Sequence, residues 1–313
     1  MEILTVETID RCNKLFARKT LHPLVCMIRP SAEKTPAERV RFGFYAVWLK
    51  GAGREECCCP SFGRTEYDFA DGTLIPLHPG DSVGRELWSG GSDGDLSTRG
   101  ADRLLCFHPS LVNDFGDDRS RCDYSFFRYR QSEALHLSVR ERMTIEREMD
   151  EMEEELEWGI DEFSRVIVRD KIGLLLDYVR RFYRRQFIPR HDLDLDVVHT
   201  VNRLMECFFL SGQAREAGLP TAECLSHRFN LSPAYLNDLL QYETGKRVDD
   251  WVRCKRIDVA RSMLQLGEKS VAEIAAKLGF PSCRSFCLQF RKLNGCAPTE
   301  YLRCTSGKSS VLS

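Results

Sequence analysis

The chain has 313 residues, enough for two domains with buried cores. Its 42% hydrophobic and 29% charged residues are typical of a globular protein in water, which argues against a disordered chain. No apolar run approaches the roughly 20 residues that a membrane-spanning helix needs. The N-terminus lacks the basic start and apolar stretch of a secretory signal, so we expect the cytoplasm, where the 14 cysteines stay reduced.

The net charge of −2 is unevenly distributed. Residues 199–304 contain 15 Lys and Arg against 11 Asp and Glu, a balance of +4, whereas residues 1–198 carry −7. This asymmetry favours a basic module attached to an acidic partner domain.

Residues 20–130 are predicted to be rich in β-strands. Short apolar stretches bounded by Gly, Pro and Asp clusters lie at 24–28, 42–49, 74–77 and 104–107. Turns are indicated at 51–53, 71–72 and 78–81, and 89–94 is a polar loop. This spacing predicts a small barrel or sandwich.

From Ser138 the apolar period becomes helical. Ser138 and Glu141 form a capping box, Gly159 ends the first helix, and Asp161 caps a second helix that reaches about Phe187. The predicted apolar stripes are Met143, Met149, Met152 and Leu156, then Ile167, Ile172, Leu175, Leu176, Val179, Phe182 and Tyr183. These stripes either form a dimer interface or pack on the barrel, and residues 189–192 are expected to be a linker.

The last third of the chain contains an internal repeat. Shifted by 49 and then 50 residues, eight positions of the first copy meet equivalent residues of the second. The pairs are Leu225 with Ile274, Phe229 with Leu278, Leu231 with Phe280, Leu236 with Phe286, Leu240 with Phe290, Gly245 with Gly295, Trp251 with Tyr301, and Val252 with Leu302. Such a match indicates a duplicated unit.

Each copy is predicted to be helix, tight turn, helix. Thr221 and Ser232 are placed to cap the two helices of the first copy, and Ser270 and Ser282 those of the second. Glycines end the helices, and Phe286, Phe290 and Leu293 are expected to be buried. Two short helices joined in this way make a helix-turn-helix, whose second helix enters the major groove of DNA.

Residues 248–266, between the copies, contain no helix breaker. Nineteen residues in a helix reach about 28 Å, close to the ~34 Å pitch that separates successive major-groove faces. A rigid strut of that length suits two readers on one duplex. The alternative is a plain helical bundle with an accidental repeat.

Residues 199–304 resemble the AraC/XylS family of transcription regulators. The resemblance lies in LSPAYLNDLLQYETGK (231–246), SVAEIAAKLGF (270–280) and FRKLNGCAPTEYLR (290–303). It implies seven helices, one strut joining two recognition helices, and promoter binding that activates or represses transcription. Residues 20–130 also look like a cupin-type effector and dimerisation domain, through HPLV (22–25), FGFYAV (42–47) and the HPGD turn (78–81).

Carried over by position, the resemblance assigns base contacts to the two recognition helices, at about 233–244 and 283–293. The residues are Ala234, Asn237, Asp238 and Gln241, with Tyr242 flanking, and Cys283, Arg284, Ser285, Cys287 and Leu288. Arg284 suits guanine, Asn237 adenine and Asp238 cytosine, while Leu288, where the family often has arginine, suits a thymine methyl. Phosphate contacts are expected from Arg228, Lys246, Arg247, Arg253, Lys255, Lys269, Arg291 and Lys292.

Two other functions compete with DNA binding. A metal-dependent cupin enzyme needs converging ligands, and the β region offers only His22, His78 and His108, none spaced as a pair. A thiol-based redox or DNA-repair function would use the run 57–59, three consecutive cysteines. Consecutive residues on a strand point to opposite faces, so small buried or edge thiols are the alternative.

The predicted architecture is therefore of the α+β class. Residues 1–135 form a β-rich cupin-like barrel domain, 136–192 a helical pair and linker, 193–304 an all-α seven-helix domain with two helix-turn-helix units, and 305–313 a disordered tail. The expected partners are promoter DNA, a second copy of the chain, RNA polymerase and a small effector, for which Phe42, Phe44 and Trp48 could line a pocket. We expect no membrane association, no cofactor, no metal and no enzymatic activity.

Overall fold

The computed structural model describes residues 3–30, 39–50, 62–84, 102–113 and 124–306. The chain divides into two compact units, residues 1–190 and 191–313. Strands occur in the first unit, whereas the described part of the second consists of helices and their connections, so the predicted α+β class is confirmed. The division falls two residues before the predicted start of the DNA-binding domain at 193, and the finer subdivision at 135 stays a prediction.

Two sheets form the strand-rich part of the first unit. The strands are β1 (Ile3–Val6), β2 (Val25–Ile28), β3 (Arg39–Phe42), β4 (Tyr45–Lys50), β5 (Gly72–Leu77), β6 (Ser82–Val83), β7 (Arg103–Phe107) and β8 (Leu135–Leu137). A three-stranded sheet has the order β1-β3-β6, with β1 parallel to β3 and β6 antiparallel to it. A five-stranded antiparallel sheet has the order β2-β7-β4-β5-β8. The cupin-like barrel remains a prediction.

Three of the four predicted strand stretches are confirmed, and the stretch at 42–49 is divided. Its chain leaves β3 at Phe42 and begins β4 at Tyr45. At the break, the N–H of Gly43 donates to the carbonyl oxygen of Val6 at 2.9 Å. A Cβ at this position would lie 3.0 Å from the Cα of Glu7, so the close approach of the backbones explains the glycine.

The aromatic side chains of this region belong to the hydrophobic core. Phe42, Phe44 and Trp48 are all fully buried, and the rings of Phe42 and Phe44 have their centroids 5.4 Å apart. Phe42 is a buried position of the alternating strand β3, Phe44 lies in the bend between β3 and β4, and Trp48 lies on β4, which is buried from Ala46 onward. The structure thus gives these residues a packing role.

Three cysteines meet in the same core. Cys12 lies on helix α1 (Ile9–Leu15), Cys26 on β2 and Cys106 directly opposite it on β7. Their sulfur atoms all lie within 4.8 Å of one another, and all three residues are buried. Hydrogen bonds from the thiols of Cys106 and Cys26 lower the pKa of Cys12 to about 5.

The predicted helical pair is present and completes the first unit. After the short α2 (Pro109–Asn113) come α3 (Val139–Glu157) and α4 (Ser164–Gln186), which pack against each other. The Ser138 hydroxyl accepts from the N–H of Glu141 and the Glu141 carboxylate accepts from the N–H of Ser138, which confirms the capping box. Asp161 accepts hydrogen bonds from two N–H groups at the start of α4.

Two members of the predicted stripes are exposed. Met143 is 63% exposed, because it is two residues out of phase with Ile145, the first buried position of α3. Ile167 is 38% exposed, one residue before Val168, which lies on the buried face of α4. The expected linker also differs, since Arg190 is buried in an ion pair with Asp68 at 2.6 Å and the next helix begins at His191.

The second unit is built from helices in the order that the repeat predicts. They are α5 (His191–Ser211), α6 (Ala214–Ala217), α7 (Ala222–Phe229), α8 (Pro233–Thr244), α9 (Val248–Leu266), α10 (Val271–Lys277), α11 (Cys283–Asn294) and α12 (Pro298–Ser306). The described part of this unit therefore has eight helices against the seven that the family resemblance implied, the four-residue α6 included. Helix α9 is the predicted strut, with the predicted bounds.

The two copies agree position by position. Helices α8 and α11 have the same length and start 50 residues apart. The turns that precede them hold Asn230 and Gly279, which are equivalent under the 49-residue shift and both have positive φ, 54° and 73°. Phe286 and Phe290 are buried as expected, but Leu293, in the last turn of α11, is 45% exposed. In the described part of the chain, no helix is both long and apolar enough to cross a membrane.

Substituting Gly279 should destabilise the second unit more than substituting a glycine of similar conformation in open space. A Cβ on Gly279 would lie 2.1 Å from the carbonyl oxygen of Ala214, so α6 would have to move. Gly267 has φ +69° and nothing within 4 Å of its Cβ position. We expect Gly267→Ala to cost ~1–2 kcal/mol of conformational strain and Gly279→Ala clearly more. Thermal unfolding of the two variants checks this, and equal costs would contradict the collision.

Candidate nucleic-acid interface

The second helix of each copy is fixed at both ends by the same devices. The hydroxyls of Ser232 and Ser282 accept from N–H groups of the first turn, at 3.0 and 3.1 Å. Gly245 and Gly295 end the helices in the left-handed conformation, with φ of 72° and 78°. Both helices pack against α9. The repeat thus presents two equivalent helices on one strut.

Arg256 ties the strut to the second copy. Its Nε donates to the carbonyl oxygen of Leu278 at 2.7 Å, and its guanidinium lies 3.4 Å from the ring centroid of Phe280. Burial lowers its pKa to about 10. Sequence reasoning overlooked this residue because an arginine in a basic stretch resembles surface. The signal was its position four residues after Val252, on the buried stripe.

The exposed face of α11 is basic at both ends. Arg284, Leu288 and Lys292 follow one another at four-residue intervals and all are exposed, Leu288 at 63%. Together with Ser282, Ser285 and Gln289 they line a shallow depression of the surface. Of the remaining predicted readers, Cys283 is exposed and Cys287 half-buried. Spacing of four residues puts the predicted readers Arg284 and Leu288 on one face.

The corresponding face of α8 lacks positive charge. Ala234 and Asp238 are half-buried, and Gln241 and Tyr242 are exposed. None of these four side chains is basic. The predicted readers of the first copy are therefore brought together on one face, but with an acidic side chain among them.

Asn237 is used within the protein. Its Oδ1 accepts from the N–H of Val248 at 3.1 Å, and its Nδ2 donates to the carbonyl oxygen of Pro233 at 3.0 Å. These bonds use one of the two Nδ2 hydrogens and one of the two acceptor sites of Oδ1. They hold the amide group against Pro233 and Val248, whereas a bidentate contact requires it to align with the edge of adenine. The structure argues for Asn237 as the residue that caps the start of α9, rather than as a base reader.

The second copy solves the same capping problem differently. There the equivalents of Asn237 and Val248 are Cys287 and Pro298. Proline at the first helical position has no N–H to satisfy. The comparison of the two copies in the sequence, an asparagine paired with a valine in one and a cysteine paired with a proline in the other, therefore indicates that Asn237 caps α9.

The predicted phosphate contacts are mostly accessible. Seven of the eight basic residues are exposed: Arg228, Lys246, Arg247, Arg253, Lys269, Arg291 and Lys292. Lys255 is half-buried, with Nζ 5.7 Å from the ring centroid of Trp251. Arg253 is paired with Asp250 at 3.2 Å, an exposed contact that water screens.

The residues of the rival functions have local partners or lie outside the described residues. His22 Nδ1 accepts from the N–H of Leu24, and His108 Nδ1 contacts the hydroxyl of Ser110 at 2.9 Å. His78 packs edge-on against Tyr45, with centroids 5.3 Å apart. Within the described ranges, the one group of three metal-ligating side chains found in mutual reach is the core thiol cluster, which contains none of these histidines. The run 57–59 is not among the described residues.

The family model and the curated relatives match within the second unit. The family described as "Helix-turn-helix domain" matches residues 225–303. The uncharacterized HTH-type transcriptional regulator YpdC of Escherichia coli is 36% identical over 81 residues, 26% of this chain and 28% of that protein. The uncharacterized transcriptional regulatory protein YesN of Bacillus subtilis is 33% identical over 82 residues, 26% of this chain and 22% of that protein. The matched segment thus spans less than a third of either relative.

Among solved structures, the C-terminal domain of AraT, a response regulator from Geobacillus stearothermophilus, is 25% identical with a TM-score of 0.30, covering 34% of this chain and 84% of that chain. The fold, the site and the family match define the second unit as a helix-turn-helix DNA-binding domain. It is of the AraC type, as the sequence predicted.

Replacing Asn237 and Val248 by their second-copy equivalents, cysteine and proline, should test the role of Asn237. Asn237→Cys leaves the N–H of Val248 without its acceptor, and we expect a loss of about 1 kcal/mol in the free energy of unfolding, as for other helix caps. The double variant Asn237→Cys with Val248→Pro should regain most of this loss, because it removes the N–H as well. Chemical denaturation of the three proteins gives the comparison.

The same variants separate capping from base reading. If Asn237 only caps α9, Asn237→Cys should lower DNA affinity equally for the preferred sequence and for a scrambled one. If Asn237→Cys instead altered the preferred base at one position while unfolding at the wild-type denaturant concentration, the capping role would be refuted.

Proposed function

We propose that this protein is a sequence-specific transcription regulator that binds promoter DNA through α8 and α11, placed in adjacent major grooves. The observation that carries the proposal is the pair of equivalent, identically capped helices on one strut of 19 residues. Such a strut is about 28 Å long, near the ~34 Å pitch of B-form DNA. The family match over residues 225–303 and the exposed basic residues around both copies support the same function.

The two helices contribute unequally in this proposal. Helix α11 supplies Arg284, Arg291 and Lys292, whereas the equivalent positions of α8 are Ala234, Gln241 and Tyr242. Arg284 is exposed, so its guanidinium is accessible for bidentate pairing with guanine. We assign base reading in the second copy to Cys283, Arg284, Ser285, Cys287 and Leu288, and in the first to Ala234, Asp238 and Gln241.

The remaining partners belong to the same proposal. The predicted phosphate contacts hold the register of both copies and supply the salt-dependent part of the affinity. The first unit modulates DNA binding through a small effector, in the cytoplasm, and RNA polymerase is the partner through which transcription changes. We propose no enzymatic role.

A second copy of the chain is the partner that fits the turn between α3 and α4. Four apolar side chains are exposed there: Trp158 (88%), Ile160 (64%), Phe163 (61%) and Val166 (45%). Exposed apolar clusters of this kind mark protein contacts. The charges on either side are complementary, because α3 ends in the acidic run 153–157 and α4 carries Arg165 and Arg169. Two copies related by a two-fold axis at this turn would bring the acidic end of one α3 close to the basic start of the other α4.

Selection of binding sites from random DNA, followed by sequencing, tests the main proposal. We expect two conserved half-sites about one helical turn apart, ~10 base pairs. Recovery of no enriched sequence, or of a single short site unaffected by changes in α8, would contradict a two-helix reader.

Variants of the selected complex should then separate base reading from phosphate binding. Arg284→Ala should relax the preference at one base pair, with a loss of ~1–3 kcal/mol confined to the preferred base. Lys246→Ala should weaken all sequences alike and reduce the salt dependence of binding by about one unit of the log–log slope. Equal losses of Arg284→Ala on selected and scrambled DNA would refute its assigned role.

Association through the α3–α4 turn can be measured without DNA. Phe163→Ser should shift the sedimentation equilibrium toward the monomer, because a polar side chain removes apolar area from the contact. Leu266→Ser is the matched control, since Leu266 is 69% exposed and lies in the second unit. Unchanged association in Phe163→Ser, or equal dissociation in both variants, would contradict this interface.

A further inference from the structure

The core thiol cluster, Cys12, Cys26 and Cys106, has a geometry that packing alone does not require. Three separate elements, α1, β2 and β7, each place a sulfur at the same point, within 4.8 Å of the other two. Any small apolar side chain would fill one of these positions. Among the residues that the structure describes, these three cysteines are the one group of three metal-ligating side chains found within mutual reach.

The sulfur spacing suits a three-coordinate thiophilic centre. Bonds of about 2.3 Å from a soft ion to sulfur place the sulfurs about 3.3 Å apart at right angles and about 4.0 Å apart at 120°. The sulfurs lie within 4.8 Å of one another. Side-chain rotations that shorten the sulfur–sulfur distances by at most about 0.8 Å for 120° angles, or about 1.5 Å for right angles, bring them to bonding geometry. Zinc sites usually have four ligands, and no fourth one joins this group among the described residues.

The surroundings select the charge of the bound centre. The cluster lies in a core whose neighbouring members are apolar, among them Ile28, Phe42, Phe44 and Trp48. Burying a net charge there is costly unless an opposite charge compensates it. Three thiolates around a monovalent cation leave a charge of −2, and around a divalent cation −1. Around a trivalent centre the charge is zero.

We propose that Cys12, Cys26 and Cys106 form a binding site for a trivalent thiophilic metalloid of the arsenite class. One As(OH)₃ reacts with three thiols to give As(SR)₃ and three waters. Three As–O and three S–H bonds break, three As–S bonds form, and each thiol proton leaves with a hydroxide as water. No electron is transferred. Where Cys12 is already a thiolate, the third hydroxide takes its proton from solvent water, and the bound As(SR)₃ centre is neutral, as the apolar walls of the site favour.

Entry to the site requires only a local movement. Cys12 lies on α1, a helix of seven residues that packs on β1 and β2, and β2 is the edge strand of its sheet. Short peripheral helices open at lower free energy than central strands. Cys26 and Cys106, on paired strands, stay opposite each other while α1 moves.

Binding of sodium arsenite to the reduced full-length chain tests the site. We expect one arsenic per chain after desalting, measured by elemental analysis, and a rise in the thermal unfolding temperature of the first unit, since a ligand bound only by the folded state stabilises it. The chain has other cysteines, so the control replaces the run 57–59 by Cys57→Ser, Cys58→Ser and Cys59→Ser. This control should keep both the stoichiometry and the thermal shift.

Variants of the cluster give the opposite result. Cys12→Ala, Cys26→Ala and Cys106→Ala should each lose the bound arsenic and the thermal shift. Circular dichroism identifies any variant that fails to fold. We expect Cys12→Ala to fold most readily of the three, because Cys12 lies on the peripheral helix α1. Zinc at the same concentration should give a smaller shift.

Three outcomes would overturn the proposal: arsenic retained by folded Cys12→Ala, arsenic lost by the serine control, or a larger shift with zinc than with arsenite. The proposal does not depend on DNA binding. Its failure would leave the site selection with random DNA unaffected, and the reverse also holds.

Discussion

The second unit depends on one helix serving two partners. Helix α9 packs against α8 and against the α10–α11 pair, so side chains of one helix contact both copies and help to set the relative placement of the two recognition helices. Asn237 fixes its first N–H group from the α8 side. Arg256 fixes the second copy by its bond to Leu278 and its stack on Phe280. Because a buried guanidinium must satisfy its hydrogen bonds, this contact is specific in direction as well as in distance.

The two turns show how duplicated sequences diverge under one constraint. Each turn needs a left-handed residue between its helices, and L-residues other than asparagine and aspartate rarely adopt that conformation. The first copy uses Asn230 and the second Gly279. Only the second has a neighbouring backbone, that of Ala214, at the Cβ position, so glycine is required there for space as well as for φ.

Much of the second unit could be predicted from the sequence because its signals are local. Caps such as Ser232 and Ser282 and the glycines that end α8 and α11 act within one turn of helix, and the repeat checks each against its counterpart. The prediction was less accurate where contact depends on distant elements. Leu293 continues the apolar period of α11 but lies in its last turn, half exposed. Asn237 has the polarity of a base reader, and only its distance to Val248 reveals the cap.

The first unit was less predictable, for the same reason. Period identified its strands and helical pair, but the pairing order β2-β7-β4-β5-β8 joins segments far apart in the chain. The cysteines at 12, 26 and 106 have no spacing that suggests a site, unlike the consecutive cysteines at 57–59. Their convergence follows from the register that sets Cys26 opposite Cys106, which no local pattern contains.

The charge of the two reading faces bears on how the proposed complex forms. Electrostatic attraction to phosphates acts over about a Debye length, ~8–10 Å at physiological ionic strength. The face with Arg284, Arg291 and Lys292 therefore experiences the duplex first, whereas Asp238 on α8 opposes approach until its neighbours make specific contacts. The second copy would then supply most of the affinity at low salt, and the first copy most of the discrimination between sites that share one half. Because the strut is rigid, docking of α11 also restricts where α8 can enter the duplex. Binding of α8 to its half-site is then intramolecular, which raises the effective concentration of this more weakly binding helix.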